Sequence, residues 1–76
     1  MIIGYNEKVN KIVIITNDNE RLVRKLGVNG LNVCGNNSYS YYDTSMLLHV
    51  INMNYVKKVK LYNDNGFVKD LVSVGI

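Results

Sequence analysis

The stretch KKVKLYNDNGFVKDLVSV, residues 57–74, decides the fold because it has the pattern of a β-hairpin and occurs twice in the chain. The earlier copy is KIVIITNDNERLVRKLGV, residues 11–28. In each copy a basic run rich in β-branched residues precedes Asn-Asp-Asn, and a second apolar run follows it. Alignment on that motif matches Val13 with Val59 and Ile15 with Leu61. We therefore expect two related β units to form the frame of the fold.

In the second copy the motif is followed by Gly66, which fits a type I turn with glycine in the left-handed bulge position. This turn predicts a register with one ionic and one aliphatic cross-strand pair, and such pairs stabilise a hairpin. The predicted pairs are Asn63 with Phe67, Lys60 with Asp70, and Val59 with Leu71.

In the first copy Glu20 replaces that glycine, and glutamate resists a positive φ. The two turns therefore cannot be closed in the same way. Residues 19–26 fit either a two-turn helix or a strand that follows a two-residue turn and places Leu22 opposite Ile15. The repeat favours the strand.

Several other segments have strand or turn patterns. Residues 1–16 predict a hairpin, and the unbroken apolar run from Ile12 to Ile15 predicts a central strand covered on both faces. A short strand is expected from Leu31 to Cys34, between turn clusters at Asn29-Gly30 and at residues 35–38.

The segment from residue 44 to residue 54 predicts the one helix. Asp43 or Thr44 can cap its N-terminus. Its apolar side chains fall on one broad helical face: Met46, Leu47, Val50, Ile51 and Met53. The expected fold class is therefore α+β: one domain, residues 1–76, in which an antiparallel sheet of about four to six strands packs against this helix.

Composition sets the limits of the fold. The chain has 76 residues and a single cysteine, Cys34, so no intramolecular disulfide can form, and burial or self-association must stabilise it. Valine and isoleucine dominate the apolar residues, while alanine is absent, which favours strands. Abundant asparagine with no proline or tryptophan is typical of an AT-rich genome, such as that of a low-GC bacterium, its phages or a large DNA virus, and suggests a protein encoded by a virus or mobile element.

No catalytic or metal-binding pattern stands out. His49 is the only histidine, and neither a serine nor Cys34 is placed to form a nucleophilic pair with it. Asp18 and Asp64 lie in turns that lack the ligand spacing of a calcium loop. We expect no enzyme activity, cofactor, metal or membrane partner. The lone thiol and the lack of a long apolar run predict a cytoplasmic location.

The most suggestive functional segment is GNNSYSYYDTS, residues 35–45. Tyrosine, serine and asparagine are typical of protein-binding loops, because tyrosine offers large contact area at low entropic cost. The predicted partner-binding residues are Asn36, Asn37, Tyr39, Tyr41 and Tyr42. They predict a small non-enzymatic interaction protein that binds, and inhibits or modulates, a larger macromolecule, with a protein as its first partner.

The alternative is a small basic nucleic-acid-binding module. The net charge is +3, and the cations concentrate in the two copies of the repeat. Lysines beside an aromatic ring on one strand face can follow phosphates and stack a base. The residues predicted for this face are Lys58, Lys60, Tyr62, Arg21 and Arg24. Exposed sheet edges also predict pairing with a second copy.

Overall fold

Eight β-strands in two antiparallel sheets provide almost all of the regular secondary structure of this computed structural model, which describes residues 1–72. Sheet A has the strand order β1-β4-β5-β6, and sheet B has the order β3-β2-β7-β8. A single turn of 3₁₀ helix, Met53–Tyr55, links the two sheets between β6 and β7. The strands are β1 (Ile2–Ile3), β2 (Lys11–Thr16), β3 (Arg21–Lys25), β4 (Leu31–Cys34), β5 (Ser38–Tyr42), β6 (Leu48–Asn52), β7 (Val56–Asn63) and β8 (Gly66–Val72).

One hydrophobic core collects side chains from both sheets. We call the sheet faces that contribute to it inner and the opposite faces outer. The buried core residues are Val9, Ile12, Ile14, Leu26, Leu31, Tyr41, Ile51, Met53, Val59, Leu61 and Leu71. Residues 1–72 leave no buried side-chain nitrogen or oxygen atom without a hydrogen-bond partner.

The prediction of a central strand at residues 12–15 is confirmed. β2 lies between β3 and β7, and all four of its aliphatic side chains are buried. Ile12 and Ile14 belong to the core between the sheets, whereas Val13 and Ile15 are on the outer face of sheet B. A strand buried on both faces needs no alternation of polar and apolar residues, which explains the unbroken run.

Both copies of the repeat form hairpins, and together they are sheet B. Residues 21–25 form β3, so the strand interpretation is confirmed and the helix is wrong. The predicted register is wrong by one residue, because Leu22 pairs with Ile14 instead of Ile15. Three residues lie between Thr16 and Glu20, whose backbone N–H and C=O groups are hydrogen-bonded, and Asn19 occupies the left-handed position of this loop at φ +66°. Glu20 therefore avoids the positive φ that glutamate resists.

The second hairpin follows its predicted register over most of its length. Lys60 pairs with Asp70 and Val59 with Leu71, as predicted. The pairing next to the turn is wrong, because Asn63 lies opposite Gly66. A register shift between Leu61 and Tyr62 absorbs the difference of one residue.

The repeat does not place equivalent residues on the same face of sheet B. Val59 points into the core, whereas Val13, its counterpart in the alignment, pairs with Lys60 on the outer face. The register of β2 against β7 is the cause, because it places Ile14, and not Val13, opposite Val59 in the core. The repeat therefore predicts the two hairpins but not which of their side chains face the core.

The α+β prediction is wrong. No helix of seven or more residues occurs among residues 1–72, and the segment predicted as a helix contains a loop, β6 and the 3₁₀ turn. Asp43, predicted as a helix cap, instead closes a hairpin loop by accepting hydrogen bonds from the backbone N–H groups of Ser45 and Leu47. Capping residues also favour turns of this kind, so the same signal fits both structures.

The hairpin predicted for residues 1–16 is also wrong. Ile2 and Ile3 pair with Asn32 and Leu31 of β4, so β1 belongs to sheet A and β2 to sheet B. The strand predicted at Leu31–Cys34 is confirmed. β1 therefore completes an edge of sheet A, and no short-range sequence pattern predicts a pairing between strands so far apart in the chain.

Replacement of Gly27 by alanine tests how closely β3 and β5 approach each other. Leu26 forms a bridge with Asp43, and the N–H of Gly27 donates to the carbonyl oxygen of Tyr42 at 2.8 Å. A Cβ atom at residue 27 would collide with the backbone carbonyl of Asp43. We expect Gly27→Ala to lower the free energy of unfolding by about 3 kcal/mol or more in urea titrations.

Gly35→Ala is the matched control. A Cβ atom at residue 35 meets open space, so only the positive φ of +71° is strained. That strain costs about 1 kcal/mol. Equal destabilisation by the two variants would show that the approach of β3 to β5 does not constrain the fold.

Candidate functional site

The outer face of sheet B forms a grid of three rows, because directly paired residues of an antiparallel sheet project to the same side. We call this grid the basic face. Its first row is Lys25, Lys11, Tyr62 and Phe67; its second is Val23, Val13, Lys60 and Asp70; its third is Arg21, Ile15, Lys58 and Val72.

The first row of the basic face combines two cations with two aromatic rings. The Nζ atom of Lys11 lies 4.9 Å from the ring centroid of Tyr62. The rings of Tyr62 and Phe67 meet edge to face at 5.7 Å between centroids. Phe67 remains 54% exposed, so part of its ring is available to a ligand. This row offers both positive charge and a stacking surface.

The second row contains the only acidic residue of the face. Asp70 lies between two lysines, with its carboxylate oxygens 3.9 Å from Nζ of Lys58 and 3.7 Å from Nζ of Lys60. Ion pairs of this length at a surface are weak, so both ammonium groups stay available to a stronger partner. Nζ of Lys60 also lies 5.2 Å from the ring centroid of Phe67.

The charge of the chain is concentrated on this face. Five cations and one carboxylate give the basic face a formal charge of +4, which exceeds the +3 of the whole chain. The rest of the chain is therefore close to neutral. Such a separation produces a local positive potential that the net charge understates.

Aliphatic side chains form the base of the grid. Val13 and Ile15 are 4% and 8% exposed, although they lie on the outer face. Their register neighbours on β7 are Lys60 and Lys58, whose aliphatic stems can cover them while the ammonium groups remain in water. The exposed side chains of Val23 and Val72 lie near the margins of the face. The basic face is thus broad, and its cations lie over buried aliphatic side chains.

The structure brings together four of the five residues predicted for a basic surface. Lys58, Lys60, Tyr62 and Arg21 share the basic face. Arg24 does not, because it pairs with Ile12 on the inner side of β3, where its Nη1 donates to the carbonyl oxygen of Val23 at 2.8 Å.

Sequence reasoning missed three residues of this face: Lys11, Lys25 and Phe67. Their strands were predicted, but the pairing of β2 with β7 was not. That pairing places Lys11 next to Tyr62, and the shortened turn of the second hairpin places Phe67 on its other side. These three residues could not be found because the sequence pattern of a single strand does not indicate which strands are its neighbours in the sheet.

The predicted tyrosine segment is divided between two faces of β5. Tyr41 is 3% exposed and belongs to the core, and Tyr39 packs against the same core. Tyr42 is exposed on the outer side of sheet A. In the turn before β5, Asn36 is exposed, and Nδ2 of Asn37 donates to Oδ1 of Asn54 at 2.7 Å. Of the three tyrosines, only Tyr42 is available for contact with a partner.

Asp43 and His49 form a polar pair that sequence reasoning did not predict. Nε2 of His49 lies 2.7 Å from Oδ2 of Asp43, and the imidazole stacks on the ring of Tyr41 with centroids 5.0 Å apart. The hydrogen bond from His49, followed by the N–H groups of Leu47 and Ser45, holds the pKa of Asp43 below its usual value. Burial raises the pKa of Tyr41. The pair fixes the loop between β5 and β6.

Other candidate chemistry is limited within residues 1–72. Cys34 is an exposed thiol on β4 that donates to Oγ of Ser40 at 3.2 Å. No three histidine, cysteine or acidic side chains of the described chain come close enough to hold a metal ion. Over the same residues, the structure contains no helix with the length and apolar character to cross a membrane.

Comparison of the chain with protein-family models, with curated proteins and with solved structures found no match.

Acid should destabilise the fold partly through Asp43. The pKa of this carboxyl group is lower in the folded chain than in the unfolded chain, so its ionised form stabilises the fold above the unfolded value of about 3.9. That contribution is lost as the pH falls below about 4 and passes through the lower folded pKa. We expect urea midpoints to fall less between about pH 6 and about pH 3 in Asp43→Asn than in the unmodified chain.

The remaining five acidic residues are the same in both proteins, so the difference between their pH profiles isolates Asp43. Parallel profiles would show that its hydrogen bonds do not favour the ionised form.

Proposed function

We propose that this chain is a non-enzymatic binding protein whose basic face binds single-stranded nucleic acid. The observation that carries the proposal is the joint placement of five cations and an exposed phenylalanine on one sheet face with a single carboxylate. The sequence ranked a tyrosine-centred protein contact first. The burial of Tyr41 and the assembly of the grid favour the nucleic-acid alternative.

Positive charge supplies the attraction. Lys11, Lys58 and Lys60 lie on the two central strands, and Arg21 and Lys25 extend the charge to the edge strand β3. Cations that neutralise phosphates release counterions, so binding to a single strand weakens with salt by a slope of about 0.7 per phosphate contact. Asp70 opposes this attraction only at the β8 margin of the grid.

Phe67 supplies a stacking surface beside the charge. Its exposed ring lies at the end of the first row, within reach of the ammonium group of Lys60. Base stacking on an aromatic side chain contributes about 1–3 kcal/mol per base and accepts every base type. A strand that follows the cations can therefore place one base on Phe67 with little sequence preference.

The shape of the face favours a single strand over a duplex. Four strands separated by about 4.8 Å give a width of about 14 Å before side chains are added. This exceeds the major groove of about 12 Å, which admits one helix or a two-stranded ribbon. An exposed ring on an open sheet face can stack only on bases that are unstacked and splayed out.

Lys60→Glu should weaken binding of a fluorescein-labelled oligodeoxythymidine of about 12 nucleotides by about tenfold or more, measured by anisotropy at low salt. Lys60 lies on a central strand of the basic face, so the substitution removes a phosphate contact and adds a repelling charge. The unmodified chain should bind the single strand more tightly than a duplex of the same length.

Lys69→Glu is the matched control. It changes the net charge equally, but Lys69 pairs with Leu61 and lies on the opposite side of β8 from the grid. It should change affinity by less than about threefold. Equal losses in the two variants would indicate attraction by net charge alone, and no binding by the unmodified chain at low salt would refute the proposal.

A protein partner is the second candidate. The exposed side of Tyr42 adjoins uncharged apolar side chains, because Tyr42 and Met46 line one cavity together with Ile2 and Val28. Uncharged apolar surface with a tyrosine at its centre is typical of protein contacts. Inhibition or modulation of a larger protein, as predicted from the sequence, would operate through this side of sheet A.

A further inference from the structure

The edge of sheet A at β6 presents an unpaired strand. β6 is the last strand of the sheet, and β5 is its only neighbour among residues 1–72. The N–H of Asp43 donates to the carbonyl oxygen of Leu47 at 2.9 Å, and the N–H of Met53 donates to that of Asn37 at 2.9 Å. These two bonds flank β6 and define which of its residues bond to β5.

Hydrogen-bonded pairs alternate along an antiparallel ladder, so the odd-numbered residues of β6 bond to β5. The backbone N–H and C=O groups of Leu48, Val50 and Asn52 consequently point away from the sheet. Their side chains share the outer face, where Leu48 is 56% exposed and Val50 is 63% exposed. The edge thus offers both unpaired backbone groups and uncovered apolar side chains.

The other described edges of the two sheets are protected against pairing. β3 carries Arg21, Arg24 and Lys25, and β1 has only two residues. β8 has charges at Lys69 and Asp70 and a register irregularity. Charge, shortness and bulges are the usual means of blocking an edge. β6 is five residues long and has no Lys, Arg, Asp or Glu, so none of these protections applies to it.

We propose that two copies of this chain pair through β6 in antiparallel orientation about a two-fold axis at Val50. Val50 then lies opposite the partner's Val50, and Leu48 lies opposite the partner's Asn52. Every residue paired in this way has backbone N–H and C=O groups that point away from β5, so the interface can contain about six hydrogen bonds. The result is a continuous eight-stranded sheet built from the two copies of sheet A.

The charge distribution identifies a second copy as the occupant of this edge. Two chains of net charge +3 repel each other, but the cations of the basic face lie on sheet B, away from β6. A self-paired β6 brings together only Leu, His, Val, Ile and Asn side chains. The same pairing at β3 would place Arg21 opposite the partner's Lys25, which is unfavourable. β6 is therefore the edge at which like chains can meet.

The proposed interface lies along β6 of sheet A, whereas the basic face lies on sheet B. Nucleic-acid binding and pairing of copies are therefore independent properties, and failure of one leaves the other intact.

Sedimentation velocity across micromolar to millimolar protein concentrations tests the proposal. The unmodified chain should shift from the monomer mass of 8.6 kDa towards twice that value as concentration rises. Val50→Lys should abolish the shift, because it places two ammonium groups opposite each other at the two-fold axis. Val23→Lys is the control, since Val23 is also an exposed valine at the centre of an edge strand. It should leave the shift unchanged.

Amide hydrogen exchange by NMR keeps the proposal testable if Val50→Lys fails to fold. In dilute solution the amides of Leu48 and Val50 should exchange freely while that of Ile51 is protected. In concentrated solution the first two should slow by about tenfold or more. A monomer at all concentrations, a dimer that survives Val50→Lys, or a dimer that Val23→Lys abolishes would overturn the proposal.

Discussion

The pairing of β2 with β7 is the interaction on which the rest of the structure depends. It joins two hairpins that are distant in the chain into sheet B, with Ile12 opposite Leu61 and Ile14 opposite Val59 in the core. The same ladder places Lys11 beside Tyr62 on the outer face. One set of backbone hydrogen bonds therefore builds the core and assembles the basic face. Without it, the two halves of that face would belong to separate hairpins.

The facing of side chains in sheet B is set by the register in which its two hairpins pair. The turns of the two hairpins differ by one residue, but the shift between Leu61 and Tyr62 moves the register of the second hairpin by a further residue, so both hairpins keep the same relative facing of their strands. The pairing of Ile14 with Val59 and of Val13 with Lys60 then turns Val59 into the core and leaves Val13 on the outer face. Strand register thus decides which residues of a repeated sequence enter the core and which lie on the outer face.

The two sheets have different surfaces. Sheet B presents cations and an aromatic ring, whereas the outer side of sheet A is uncharged where Tyr42, Leu48 and Val50 emerge. A chain with a small net charge therefore has one strongly basic face and one neutral face. The basic face has the charge that a polyanion would require, and the neutral face has the apolar side chains that a second copy would require, which is the basis of the two proposals.

Local patterns were enough to predict the strands of sheet B and the short strand at Leu31–Cys34. Composition, with eleven valines, seven isoleucines and no alanine, favoured strands throughout. The helix prediction failed because Asp43 is equally suited to a helix cap and to an Asx turn, and because Leu47 and Val50 were assigned to the apolar helix face although they are exposed. The same short sequence can therefore fit either an amphipathic helix or a strand with one exposed apolar face.

The candidate site was predicted only as far as single strands allow. Alternation along β7 placed Lys58, Lys60 and Tyr62 together, and the structure agrees. Lys11, Lys25 and Phe67 join them through strand order and a shortened turn, neither of which is a local property of the sequence. Tyr39 and Tyr41 are lost as contact residues for a similar reason, because the packing of sheet A against sheet B decides which side of β5 is covered.

The most direct test of the central claim is an NMR titration of the ¹⁵N-labelled chain with a short oligodeoxythymidine. If the outer face of sheet B is the binding surface, the amide shifts should change along β2, β7 and the start of β8, with the largest changes near Lys11, Lys60 and Phe67. The Phe67 ring protons should move upfield as a base stacks on them. Shift changes confined to β5 and β6, or none at low salt, would contradict the account.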